Sequence, residues 1–87
     1  MVHITRVRTR DGKIYEGIIL NVEDGLNKEP PYITLRTFKY GDIDILLMDI
    51  VSAITKGERV GVGRIEDVDE LPKWLKLYKE FSKQNKK

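Results

Sequence analysis

The chain has 87 residues, 40% of them apolar and 34% charged, with a net charge of +2 and no cysteine. Such a chain makes one small domain and is too polar-and-apolar mixed to be disordered. The missing cysteines exclude a disulfide framework and any thiolate ligand or nucleophile. The single histidine, His3, has no second imidazole to share a metal with, and no apolar run approaches the roughly 18 residues of a membrane span. The basic N-terminus lacks the apolar region of a secretion signal. These readings lead to an expectation of a cytoplasmic protein with no membrane partner.

Residues 2–10 carry Ile4 and Val7 among Arg6, Arg8 and Arg10, and their Val, Ile and Thr content favours a strand. Asp11-Gly12 is a hairpin turn signal. Ile14 to Val22 is a second strand, with Gly17 marking a bend or a close backbone approach. Residues 24–31 form a loop. Residues 32–38 form a third strand, with Ile33, Leu35 and Thr37 on one face. Ile43 to Met48 and Ile50 to Ile54 are two further strands joined almost without a loop. Five short strands with tight connections predict a small barrel or sandwich over residues 1–56.

Residues 57–69 read as a connector, with a short strand at Val60–Val62. Gly61 and Gly63 lack the context of a phosphate loop. Residues 70–87 form an amphipathic helix and a basic tail. Leu71, Trp74, Leu75, Tyr78 and Phe81 recur at helical spacing, Asp69 is positioned to cap, and Pro72 falls harmlessly in the first turn. The stripe is expected to complete the core, with docking on a partner chain as the alternative.

Charge is unevenly placed. Residues 1–60 hold nine bases and nine acids, residues 66–70 hold four acids, and residues 71–87 hold six lysines and one acid. The tail reads either as a solvated helix face or as an attractor of nucleic acid.

No arrangement supports catalysis. Glu23 and Asp24 would face opposite sides of a strand. Asp42 and Asp44 share a face but lack a histidine or a calcium-loop spacing. Ser52 and Ser82 lack a histidine partner, since His3 lies at the terminus. The chain therefore reads as a non-enzyme without cofactor or metal.

One constellation is more informative: Gly12, Tyr15, Gly17, Ile19, Val22, Glu23, Leu26 and Asn27. Their order and spacing resemble the first motif of the Sm and Sm-like family, over residues 4–54. The resemblance implies a mostly β fold, a small five-stranded SH3-like (Sm-type) barrel, here with an added C-terminal α-helix. It also implies a cyclic homo-oligomer, a hexamer to heptamer or a stacked pair of rings, that binds RNA at its central hole. The implied RNA-binding positions are Asp24, Gly25, Asn27, Lys28 and Met48. The implied subunit interface pairs the fourth strand with the fifth of the next copy, through Ile43, Ile45, Leu47, Ile50, Ser52 and Ile54.

The chain departs from the family pattern in places. Glu23 stands for the usual aspartate, Gly25 fills the slot of a base-stacking ring, and Met48-Asp49 replaces Arg-Gly. The helix that usually precedes the first strand is missing. Two other readings stay open. The segment from Asp69 to Lys87 resembles the C-terminal helix of small basic chromatin barrels, which implies DNA as a ligand. A pure assembly module without nucleic acid is the third.

Overall fold

The computed structural model describes residues 3–25, 29–61, 63 and 70–85. Among these residues six strands form one antiparallel sheet: β1 (Thr5–Thr9), β2 (Ile14–Glu23), β3 (Tyr32–Thr37), β4 (Gly41–Leu46), β5 (Ile50–Thr55) and β6 (Glu58–Arg59). A helix, α1 (Leu71–Asn85), follows. The sheet order is β4-β3-β2-β1-β5-β6.

The strands form where alternation was legible. In β1, Thr5, Val7 and Thr9 are buried while Arg6 and Arg8 are exposed. In β3, Ile33, Leu35 and Thr37 point inward. The β1–β2 turn closes with Thr9 N–H donating to the Lys13 carbonyl at 2.9 Å. Gly12 takes a φ of +85° there, in the left-handed region that favours glycine.

Two bulges reset the alternation. Between Ile19 and Asn21 the β2–β3 register shifts, so Ile19 and Val22, three residues apart, both face the core. A second shift lies in the β1–β5 ladder at Arg8/Thr9, where Thr9 pairs with Ile50 and Arg8 with Ser52. It lets Ile50 and Ala53 both point inward. Gly17 sits just before the first bulge. A Cβ there would lie 1.9 Å from the Arg36 carbonyl oxygen, so the close approach expected at this glycine is present.

The fold is mostly β with a C-terminal helix, as expected, but the expected five-stranded barrel differs on two counts. The sheet is not closed: β4 and β5, consecutive in the chain, stand far apart in the sheet order and share no ladder. They are joined by the 3-10 turn Leu47–Asp49. There is also a sixth strand. Lys56 and Gly57 both have positive φ, 56° and 78°, which is the two-residue hairpin geometry whose twist matches the strands. The chain thus folds back immediately, and β6 pairs with Ile54 and Thr55. The short strand expected at Val60–Val62 instead occupies Glu58–Arg59, and Val62 lies outside the described residues. So does Asp69, the expected helix cap.

One core unites the sheet and the helix: Val7, Ile19, Val22, Ile33, Leu35, Ile45, Leu47, Ile50, Ala53, Val60 and Tyr78. Burying such aliphatic side chains contributes roughly 1.5–3 kcal/mol each. The helix packs mainly on β2. Leu71, Trp74, Leu75 and Phe81 are half-buried against this core, while Tyr78 is fully enclosed. The stripe therefore serves the chain's own core, with Tyr78 rather than Trp74 as its deepest anchor. Gly61 makes room for it: a Cβ there would meet the Tyr78 hydroxyl at 2.5 Å. His3, near the start of the chain, packs on the helix. It is buried, with its ring edge-on to Phe81 at 5.6 Å.

Candidate functional site

Sequence reasoning places the RNA-binding positions on the loop after β2 and the turn after β4. The fold brings these two segments together, because Leu47 N–H donates to the Pro31 carbonyl at 3.0 Å. Met48 is exposed on that turn. Asn27 and Lys28 lie outside the described residues.

Gly25 has a backbone reason to be glycine. Its φ is +79°, and a Cβ would lie 2.5 Å from the Glu29 carbonyl oxygen. An aromatic side chain is thus excluded by the loop's own path. Asp24 is engaged in an ion pair with Lys79 of α1. The helix therefore holds the loop from the side, and Asp24 carries a cation of its own chain. This contact was not legible in the sequence, since 55 residues separate the partners.

The six interface positions divide by burial. Ile45, Leu47 and Ile50 lie in the chain's own core, Ile43 and Ser52 are half-buried, and Ile54 is exposed. Backbone edges matter more for strand pairing than side-chain burial. β4 is the outermost strand, so its outer edge is unpaired along Gly41–Leu46 among the described residues. On β5 the far edge is partly taken. β6 pairs with Ile54 and Thr55, and Val60 N–H donates to the Ala53 carbonyl at 2.7 Å. Among the described residues, nothing pairs with Ile50–Ser52 on that side.

The acids form local ties. Arg36 donates to Asp42 from Nε at 2.9 Å and from Nη2 at 3.3 Å. This bond holds the Asp42 carboxyl below the usual carboxylate range. The Thr34 hydroxyl donates to Asp44 at 2.7 Å. The Thr9 hydroxyl holds the Asp11 carboxyl down in the same way. Each of these carboxylates serves a neighbour within its own hairpin. Among the described residues no group of three or more His, Asp or Glu side chains could hold a metal ion, and no helix is long and apolar enough to cross a membrane.

Comparison of the chain with protein-family models, curated proteins and solved structures gives no match. The geometry of its own residues therefore carries the functional reading.

A depression lies between the β1–β2 hairpin tip and β4. It is lined by Thr9, Asp11, Tyr15, Ile43, Ile45 and Asp49. Tyr15 stands in its wall with its ring edge-on to Tyr40. The tyrosine thus lies with β4 and the hairpin tip, beside Tyr40 and Ile43, and it gives Gly25 no substitute ring in the described structure.

Proposed function

We propose that the chain is a non-enzymatic subunit of the Sm-like kind, which assembles with copies of itself and takes RNA as its ligand. The observation that carries this reading is the pair of backbone edges, unpaired among the described residues, that flank the Leu47–Asp49 turn: all of β4, and Ile50–Ser52 of β5. Exposed strand edges are templates for pairing with another chain. Pairing β4 of one copy with β5 of the next is a head-to-tail contact, which closes into a ring when the rotation fits. The sheet order and the juxtaposed loop and turn support the Sm-type arrangement, although the sheet of a single copy stays open.

In that ring the loop after β2 faces the central hole, and Asn27 offers amide donors and an acceptor to a base edge. With Gly25 in place of a ring, the stacking contribution of about 1–3 kcal/mol per base is missing there. Pocket binding is accordingly weak. Titration of a short uridine-rich RNA against wild type and Asn27→Ala, at two salt concentrations, tests the ligand assignment. A lower affinity for the variant is expected; equal affinities remove Asn27 from the site.

A further inference from the structure

We propose that the outer face of the sheet, at β1, β2 and the β3–β4 turn, is a binding surface for single-stranded nucleic acid. This goes beyond the ring reading, since it needs only the sheet of one copy. The ladders define the surface. Arg8 lies between Ser52 and Ile14, and Arg6 lies between Ile54 and Glu16. These side chains line one shallow groove, in which Arg6, Arg8, Ile14, Ser52 and Ile54 meet. Ile14 continues it into a second groove that carries Phe38, Lys39 and Tyr40. Phe38 is fixed there by its N–H, which donates to the Glu16 carbonyl at 3.0 Å.

Three features point to a strand of nucleic acid. First, Arg6 and Arg8 are exposed and enter no ion pair among the described residues, unlike Arg10 and Arg36, which face Asp49 and Asp42. Glu16, the acid nearest Arg6 in the ladder, is not within ion-pair distance of it. Second, two aromatic rings stand in solvent beside these cations: Phe38 is 68% exposed and Tyr40 58%. A base-stacking platform needs such rings, and every base offers a π-face to them. Third, Ile14 and Ile54 are exposed between the cations, at 46% and 40%, which gives an apolar floor for bases or sugars.

The aromatic component favours single strands over duplex. In a duplex the base faces are already stacked on one another, so Phe38 and Tyr40 would gain nothing. In a single strand the bases turn toward the rings while Arg6 and Arg8, two residues apart on one strand, take phosphates of the backbone.

The test is fluorescence anisotropy of a labelled 12-nucleotide oligothymidine and of a 12-base-pair duplex with the full chain. Wild type, Arg6→Ala/Arg8→Ala, Phe38→Ala and Asn27→Ala are compared, with thermal melts to show that each variant is folded. The expected result is single-strand binding in preference to duplex. Phe38→Ala lowers affinity roughly tenfold, the effect of losing one stacked base. The double arginine variant flattens the slope of log K against log salt by about 1.4, roughly 0.7 per lost phosphate contact. Absence of binding by folded wild type at low salt overturns the proposal. So does a preference for duplex, or a folded Arg6→Ala/Arg8→Ala variant with wild-type affinity and slope. Loss of binding in Asn27→Ala alone assigns the ligand to the loop end instead, and overturns this face while leaving the ring reading standing.

Discussion

The side-chain oxygen of Asn85, in the last turn of α1, accepts the backbone N–H of His3 at 2.9 Å. The same amide donates through Nδ2 to the Ile19 carbonyl at 3.0 Å. One buried side chain thereby joins the end of the helix, the start of the chain and the bulge of β2. Asn85→Ala leaves a buried N–H and a buried C=O without their partners, so it should cost about 2–4 kcal/mol. Urea unfolding monitored by circular dichroism measures this, and a loss below about 0.5 kcal/mol would contradict the bridging role.

Tyr78 and Trp74 are expected to behave differently despite sharing a stripe. Tyr78 has no exposed surface, and Tyr78→Ala should cost about 3–5 kcal/mol. Trp74 is half-buried, and Trp74→Ala should cost less than half as much. The Tyr78 hydroxyl is buried and finds no hydrogen-bond partner among the described residues. Burial also pushes the phenol up, well above its ordinary value. Tyr78→Phe should therefore be neutral or slightly stabilising. A large loss in the phenylalanine variant would show that the hydroxyl has a partner.

Much of this arrangement is written in periodicity. The inward set of β1 and β3 and the stripe Leu71–Phe81 follow from spacings of two and of three to four. What spacing cannot encode is a register shift. The bulges at Leu20 and beside Thr9 place Val22 and Ala53 in the core three residues after their buried neighbours, where strict alternation points them outward. The sixth strand was hidden for another reason: Lys56-Gly57 is a poor turn signal because lysine rarely adopts positive φ. Asn85 gave no signal at all, since a lone polar residue in a lysine-rich tail reads as solvated. At the candidate site the loop was legible as a loop, but the Lys79–Asp24 tie that restrains it depends on tertiary packing.

The strained turn makes its own prediction. Asparagine tolerates the left-handed region far better than lysine. Lys56→Asn should raise stability by about 0.5 kcal/mol, with β6 hydrogen exchange slowed accordingly. An equal or lower midpoint in denaturant would argue that this turn is not of the mirror-image type.

Installing a ring at Gly25 should fail to restore a stacking pocket. Gly25→Tyr forces a side chain into positive φ and into the Glu29 carbonyl, so it should cost about 1–3 kcal/mol. No gain in RNA affinity is expected. Tighter uridine binding with unchanged stability would show that the loop accommodates the ring.

The Arg36–Asp42 pair gives a pH signature. The Asp42 carboxyl is held below its ordinary value in the folded chain. Its contribution is therefore fully present above the unfolded carboxylate pKa, near 3.9, and is lost as pH falls through the lower folded value. Both side chains are exposed, so the effect on stability is small. Carboxyl NMR titration should find Asp42 titrating below exposed free aspartates, and Arg36→Ala should return it upward. An unchanged Asp42 midpoint in that variant would remove the guanidinium as the cause.

The central claim is self-assembly through the open edges of β4 and β5, and mass in solution tests it most directly. Light scattering on nuclease-treated protein at micromolar concentration should give a discrete species of six or seven times 10.1 kDa, about 60 to 70 kDa, or twice that for stacked rings. Ile43→Lys, which places a charge on the β4 edge, should shift the protein toward the monomer. A strictly monomeric mass of 10.1 kDa for wild type across that range would contradict the account.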